Sequence, residues 1–163
     1  MNCNPAMTLS LFRLACVFLS LAMLTGCALF RAGDDDVPAS AKKAVNAAYS
    51  QMGKKYKYGG ASPKNGFDCS GLVYWSYMKT GVRVPRITRD QARTGFGVSS
   101  GHMREGDIVV FRTGNGPNSL HTGLYAGGNS FIHSPRRGKV VCMERIDKPY
   151  WKGKLVAIRR VVH

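Results

Sequence analysis

Apolar residues recur at helical spacing in the segment that begins near residue 40. Ser40 is a suitable N-cap for a helix that runs until Gly53. A second helix is predicted from its cap Asp68 to Gly81, after a glycine-rich loop. The order Thr-Arg-Asp-Gln at 88–91 fits a capping box and predicts a short third helix.

The pattern then changes to short segments that are rich in β-branched and aromatic residues and are separated by Gly, Pro and Asn. Strands are predicted at 107–111, 120–126, 130–134, 139–144 and 155–162. Helices followed by strands indicate an α+β fold. We therefore expect N-terminal helices packed on an antiparallel sheet of about five strands.

The predicted strands at 120–126 and 130–134 form a plausible hairpin around Gly128. Side chains alternate along a strand, so His121 and His133 share a face only if the numbers of paired residues sum to an even value. A three-residue loop centred on Gly128 sets Gly123 opposite His133 and puts the two histidines on one diagonal. A two-residue turn without a bulge would place them on opposite faces. We predict the three-residue loop or a compensating bulge.

The N-terminus carries an eleven-residue apolar run at 14–24, which is too short for a bilayer span and is typical of a signal peptide. It ends in Leu-Thr-Gly-Cys27, which resembles the bacterial lipoprotein box. The resemblance implies a signal at 1–26, an acylated Cys27 and a flexible tether at 27–39 before a domain at 40–163. Ala28 would then favour the outer membrane in a source with two membranes. Alternatives are an ordinary secretory signal with an incidental Cys27, and a start at Met7.

Charge and composition restrict the class of protein. The 163 residues include 24 Lys and Arg against 9 Asp and Glu, a formal net charge of +15, which favours an anionic partner. A hydrophobic share of 44% excludes a disordered chain, and the length allows one domain. Since export is predicted, we expect acidic cell-wall polymers and lipid rather than nucleic acid as partners, and a monomer.

Two cysteines remain beyond the predicted anchor, Cys69 and Cys142. Exported domains usually oxidise their cysteines, so a disulfide between them is one possibility. Cys69, however, directly follows the predicted cap Asp68. Unpaired N–H groups and the helix dipole at that position favour a thiolate, which indicates a nucleophile. Cys142 is then interpreted as a buried strand residue.

Four histidines could serve such a nucleophile as its base. His102 lies in a polar loop and His163 ends the chain, whereas His121 and His133 each lie in a predicted strand. Cys69 and these two histidines could in principle bind zinc, but neither the spacing nor a fourth ligand supports a structural site. We expect no metal and no cofactor.

The motifs resemble, in order and spacing, those of the NlpC/P60 cysteine peptidases. The resemblance extends over about residues 43–162 and is carried by Tyr56-Lys57-Tyr58-Gly59-Gly60, Phe67-Asp68-Cys69-Ser70-Gly71-Leu72, Val84-Pro85-Arg86, Gly106-Asp107-Ile108-Val109, His121-Thr122-Gly123-Leu124-Tyr125, Phe131-Ile132-His133-Ser134 and Pro149-Tyr150-Trp151. It implies a papain-like fold with Cys69 as nucleophile, His121 as base and His133 as the residue that orients the base. Tyr56 matches a tyrosine near the nucleophile that helps to stabilise the oxyanion.

The family resemblance implies a peptidoglycan endopeptidase that cleaves amide bonds in cell-wall stem peptides or crosslinks, and is closest in layout to its lipoprotein murein endopeptidases. Two alternatives stay open. One is a catalytically idle lipoprotein that binds wall peptides in the same groove. The other is an amidase or acyltransferase that acts on a different wall bond.

Overall fold

The helices of the fold come first along the chain, as the sequence predicts. A computed structural model of the protein describes residues 37–116 and 119–163. Helix α1 spans Ala39–Tyr49, α2 spans Cys69–Met78 and the short α3 spans Thr88–Gln91. Asp68 caps α2, since its side chain accepts a hydrogen bond from the Gly71 N–H at 2.6 Å. The predicted cap of the central helix is therefore confirmed.

Two antiparallel sheets account for the strands. Strands β1 (Ala61–Ser62) and β2 (Gly66–Phe67) form a small hairpin just before α2. The remaining strands form a six-stranded sheet in the order β3-β8-β4-β5-β6-β7. Their bounds are β3 Phe96–Gly97, β4 Ile108–Arg112, β5 Leu120–Tyr125, β6 Ser130–His133, β7 Cys142–Arg145 and β8 Leu155–Arg160. The α+β class is confirmed, with one strand more than expected in the main sheet.

The sheet has an apolar layer on each face. One layer contains buried residues of α1 and α2 together with Ile108, Val110, Leu124 and Ile132 of the sheet. The other layer contains strand residues that point to the opposite face, together with a tryptophan from the turn before β8: Val109, Phe111, Tyr125, Phe131 and Trp151. Because side chains alternate along a strand, His121 and His133 belong to the second face, where their rings contact that of Trp151.

The hairpin between β5 and β6 has the predicted register. Leu124 pairs with Ile132 and Tyr125 with Phe131, so paired residue numbers have an even sum. The Ala126 N–H donates to the Ser130 carbonyl at 2.8 Å, which leaves three residues in the loop. This loop brings the two histidines to the same face, as expected.

Some predicted element ends are wrong. The first helix begins at Ala39, with Pro38 as its N-cap, and it ends before Gly53. Ser40 lies inside the helix because the Pro38 carbonyl already accepts from the N–H groups of Ala41 and Lys42. Thr88 does not cap α3 either, since Ile87 occupies the N-cap position and no side chain caps it. β7 begins at Cys142, because the chain before it bonds to residues 53–56 instead of β6, with an isolated bridge between Lys55 and Val140.

The predicted signal peptide, the acylation of Cys27 and the tether up to residue 36 lie outside the described residues. Within the described residues, no helix has both the length and the apolar character needed to cross a bilayer.

Candidate active site

Asp68 holds the start of α2 through more than its capping bond. Its carboxylate also accepts from the Gly59 N–H at 2.9 Å and from both terminal nitrogens of Arg86, at 3.0 and 2.9 Å. Arg86 in turn donates to Ser70 Oγ at 3.1 Å and to the Gly60 carbonyl at 3.2 Å. A bidentate guanidinium–carboxylate pair is geometrically specific. Cys69, between Asp68 and Ser70, is thus fixed in position by contacts on both sides.

The glycine-rich loop packs directly on this helix start. A Cβ atom placed on Gly71 would lie 2.0 Å from the Gly60 carbonyl oxygen, and one on Gly60 would lie 2.5 Å from the Gly66 oxygen. The Gly60 oxygen also accepts from the Asp68 N–H at 3.0 Å. The glycines of both motifs are therefore needed for close backbone approach.

The Cys69 thiol is half-buried and free. Its sulfur lies 3.6 Å from Thr88 Oγ1 at the start of α3. Cys142 is free as well, so a disulfide between these two cysteines does not form. Among the described residues, no hydrogen bond joins the Cys69 thiol to either histidine of the sheet.

His121 and His133 do contact each other. His121 Nε2 lies 2.7 Å from His133 Nδ1, and the ring planes are perpendicular. Burial lowers the pKa of His121 to about 4, although Glu144 opposes this shift. Burial, with His121 and Lys148 adding to it, lowers the pKa of His133 to about 3. Both imidazoles are therefore neutral at neutral pH, and one ring donates to the other.

Trp151 covers this histidine pair. Its ring centroid lies 5.5 Å from that of His121 and 5.2 Å from that of His133. The Trp151 indole N–H donates to Glu144 Oε2 at 2.6 Å. The tryptophan excludes water from the histidine–histidine bond, which strengthens that bond in the resulting low-dielectric environment.

The second ring nitrogen of His133 faces strand β7. His133 Nε2 lies 3.5 Å from Cys142 Sγ and 3.9 Å from Glu144 Oε1. The Cys142 thiol can donate to this nitrogen or accept from it, and the Glu144 carboxylate lies beyond hydrogen-bond distance. Because His121 Nε2 is engaged with His133, Nδ1 is the ring nitrogen of His121 that is left for a further partner.

Gln91 links the nucleophile helix to the strand of His121. Its side chain is fully buried, and its amide nitrogen donates to the carbonyls of Ser70 at 2.9 Å and Pro85 at 2.8 Å. Its amide oxygen accepts from Thr122 Oγ1 at 3.0 Å. Ser70 follows Cys69 and Thr122 follows His121. One side chain therefore fixes the backbone beside Cys69 and the backbone beside His121.

Tyr56 lies next to the start of α2, where it forms an isolated bridge with Phe67. Partial burial raises its pKa, and the neighbouring Cys69 and Asp68 raise it further. Its hydroxyl therefore keeps its proton and can donate.

The other two histidines lie elsewhere. His102 is exposed and bonds through Nδ1 to Ser99 Oγ at 2.8 Å, and the His163 ring stacks on Phe96.

A groove of about 770 Å³ runs beside the histidine pair. Its lining includes His121, His133, Arg136, Lys139 and Trp151. Glu144 also lines the groove and offsets one of these two basic charges, so the remaining positive charge favours acidic ligands modestly.

Several residues of the site were not identified as functional from the sequence. Gln91 and Thr88 were assigned to a capping box, Cys142 was interpreted as packing, and no role was given to Glu144 or Arg86. The one available signal was the alternation of Cys142 and Glu144 on a strand, which puts both on one face. The capping-box interpretation failed because both side chains bond across the fold instead.

Comparison with known proteins places this arrangement in a family. The sequence profile described as NlpC/P60 family matches residues 53–160. The murein DD-endopeptidase MepH of Escherichia coli is 37% identical over 129 residues, which cover 77% of this chain and 48% of MepH. The Escherichia coli protein named murein DD-endopeptidase MepS/murein LD-carboxypeptidase is 38% identical over 111 residues, covering 68% of this chain and 57% of that protein. The chain thus spans about half the length of these relatives.

Solved structures agree with the sequence comparison. An NlpC/P60 family protein from Bacillus cereus superposes with a TM-score of 0.71 at 31% identity, covering 77% of this chain and 41% of that one. A Staphylococcus aureus protein described as similar to lipoprotein, NLP/P60 family, gives a TM-score of 0.68 at 32% identity. The match covers 80% of this chain and 43% of the Staphylococcus aureus chain. The chain belongs to the NlpC/P60 family of cysteine peptidases.

Proposed function

We propose that the protein is a peptidoglycan hydrolase, an endopeptidase that cleaves amide bonds in stem peptides or crosslinks. The observation that supports this most is the buried His121–His133 pair on a chain whose free Cys69 starts a capped helix. The names of relatives agree, since they include murein endopeptidases and a γ-D-glutamyl-L-lysine dipeptidyl-peptidase. Each of these activities is a hydrolysis of a wall amide bond.

In the proposed mechanism the Cys69 thiol rotates from Thr88 to His121 Nδ1, which takes its proton as the sulfur attacks the substrate carbonyl. The low pKa of His121 favours this transfer during the attack over a standing thiolate–imidazolium pair. His133 holds the ring and tautomer of His121. The imidazolium then protonates the leaving amine, and a water activated by His121 hydrolyses the thioester.

Oxyanion stabilisation is proposed to come from two donors. The backbone N–H of Cys69 lies at the positive end of the α2 dipole, and the Tyr56 hydroxyl lies nearby and keeps its proton. The backbone donor is fixed by the capped helix before substrate binds, so it needs no reorganisation as charge develops.

The proposed substrate is an acidic wall peptide held in the groove beside the histidines. Arg136 and Lys139 line the groove, and their charges suit the carboxylates of such peptides. Neither a metal nor a cofactor is needed for these steps.

We further propose that the protein is a lipoprotein anchored through acylated Cys27, in the outer membrane facing the periplasm. The support is the box Leu24-Thr25-Gly26-Cys27 followed by Ala28. Two or more acyl chains give stable anchoring. Mass spectrometry of the mature N-terminus should find an acylated Cys27, and an unmodified N-terminus cut elsewhere would contradict the anchor.

The activity is tested with the full-length protein and a Cys69→Ala variant on purified peptidoglycan sacculi, with mass spectrometry of released and residual fragments. We expect fragments that appear only with the intact thiol, and their masses identify the bond cut. The His121→Ala variant should lose at least about 10²-fold in rate, whereas His102→Ala, the matched exposed histidine, should not.

Other outcomes separate the alternatives. Folded wild-type protein that binds sacculi without thiol-dependent cleavage would be a wall-binding protein, and the proposal would fail. Thiol-dependent release of intact peptides from the sugar, or new acyl products, would replace the endopeptidase by an amidase or an acyltransferase.

A further inference from the structure

Three side chains on the floor of the groove bring a nitrogen, a sulfur and an oxygen ligand together. His133 Nε2 lies 3.5 Å from Cys142 Sγ and 3.9 Å from Glu144 Oε1, and the three ligand atoms all lie within 4.8 Å of one another. Strand pairing fixes this arrangement. His133 of β6 is directly opposite Cys142 of β7, and Glu144 is two residues further on the same face.

A rotation of the Glu144 side chain brings these spacings to those of a tetrahedral zinc site. With Zn–S of about 2.3 Å and Zn–N or Zn–O of about 2.0–2.2 Å, tetrahedral ligands lie about 3.4–3.6 Å apart. The sulfur–nitrogen spacing of 3.5 Å already matches. The Glu144 oxygen lies 3.9 Å from His133 Nε2 and within 4.8 Å of Cys142 Sγ, so it must move closer to both, by about half an ångström and by up to about 1.2 Å, and its side chain is 30% exposed. We propose that His133, Cys142 and Glu144 bind one Zn²⁺ ion, with water as the fourth ligand from the groove, and that this ion switches the peptidase off.

The surroundings of the three ligands support the site. Trp151 bonds to Glu144 Oε2 and leaves Oε1 directed at His133, and the other ring nitrogen of His133 is hydrogen-bonded to His121. Metal-ligating side chains typically have their second polar atom fixed in this way. Three cations oppose the ion: Lys148, 3.9 Å from Glu144 Oε2, and Arg136 and Lys139, which line the same groove.

The inhibitory consequence rests on the proposed function and follows from the position of the ligands. His133 Nδ1 lies 2.7 Å from His121 Nε2, so an ion that binds His133 Nε2 would pull on the ring that orients the proposed base. The ion and its water would also occupy the groove beside His121, where the substrate is proposed to lie.

Binding is tested without reference to activity. Full-length protein in the Cys69→Ala background is titrated with Co²⁺ and then Zn²⁺, and the thiolate-to-cobalt absorption band is followed. We expect one Co²⁺ per chain and full displacement by Zn²⁺. Cys142→Ala should abolish the band, and Glu144→Gln should weaken affinity at least about tenfold, with circular dichroism verifying the fold of each variant. The absence of a thiolate band in the Cys69→Ala protein, or a band that persists when Cys142 is also replaced, would overturn the proposal.

Inhibition is tested on sacculi by comparing each variant with itself, with and without Zn²⁺. The wild type should lose about 10²-fold or more in rate, the usual contribution of a general base, and the Cys142→Ala variant should lose less than about twofold. Zinc binding that depends on Cys142 but leaves the rate of the wild type unchanged would overturn the switch. A protein inactive on every wall substrate would refute the proposed function alone, since the cobalt assay needs no turnover.

Discussion

Replacement of Gln91 by leucine tests whether one buried amide couples the nucleophile helix to the strand of the base. The leucine side chain is of similar size and fits the same buried space, but it cannot bond to Ser70, Pro85 or Thr122. The perturbation therefore removes three hydrogen bonds and little packing.

The expected cost follows from what the substitution leaves behind. Two carbonyl oxygens and one hydroxyl lose their partner, and a buried polar group without a partner costs about 1–3 kcal/mol. Carbonyl groups have a second lone pair and the backbone can relax, so we expect a total of about 3–5 kcal/mol rather than the full sum. The turnover number should also fall, with a smaller change in KM, because Cys69 and His121 are then less well aligned.

Urea unfolding of the Gln91→Leu variant measures the stability, and initial rates on sacculi at a temperature where the variant is folded measure the alignment. Gln51→Leu is the matched control. Gln51 is also buried, but within the part of the chain that the structure describes its amide oxygen has no partner and its nitrogen bonds only to Ser50 Oγ. The coupling argument is refuted if the two variants lose equal stability, or if Gln91→Leu keeps the wild-type turnover number.

Two further predictions concern proton binding and backbone packing. The pKa values of His121 and His133 are lowered to about 4 and about 3, whereas unfolded histidine titrates near 6.5, so the unfolded chain binds protons first as the pH falls. The stability due to their neutral burial is fully present above about pH 6.5 and declines as the pH drops towards those values, so the urea midpoint should be lower at about pH 5 than at about pH 7. A midpoint that does not change, or changes equally in His121→Gln, would contradict this. Gly71→Ala, whose Cβ would lie 2.0 Å from the Gly60 oxygen, should lower the free energy of unfolding by ~3 kcal/mol or more, measured by thermal unfolding. Gly101→Ala is the control and should be nearly neutral, because no described atom lies within 4 Å of its added Cβ. Equal effects of the two substitutions would refute the packing argument.

The features that were predictable from sequence are local ones. Capping of α2 by Asp68 depends on a hydrogen bond three residues away, and the common face of His121 and His133 depends only on side-chain alternation and loop length. Both are therefore available from a short stretch of chain.

The parts that could not be predicted depend on contacts between distant segments. Gln91 bonds to Ser70, 21 residues away, and to Thr122, 31 residues away. Thr88 and Gln91, the two ends of the capping-box pattern, therefore use their side chains across the fold, and the tertiary partners override the local preference. Similarly, Glu144 and Trp151 come close to His133 only when β7 pairs with β6.

The length of the loop between β5 and β6 determines whether His121 and His133 lie on the same face of the sheet. Hairpin tips normally tolerate insertions and deletions. Here, a change of one residue at Gly127-Gly128-Asn129, without a bulge, would give paired numbers an odd sum and turn one histidine to the opposite face. Insertions of two residues would preserve the pair. We therefore expect the length of this loop to vary by even numbers of residues, among homologues and in designed grafts of a new peptide. Whether the loop has an odd or an even number of residues then indicates, from sequence, whether the two histidines share a face.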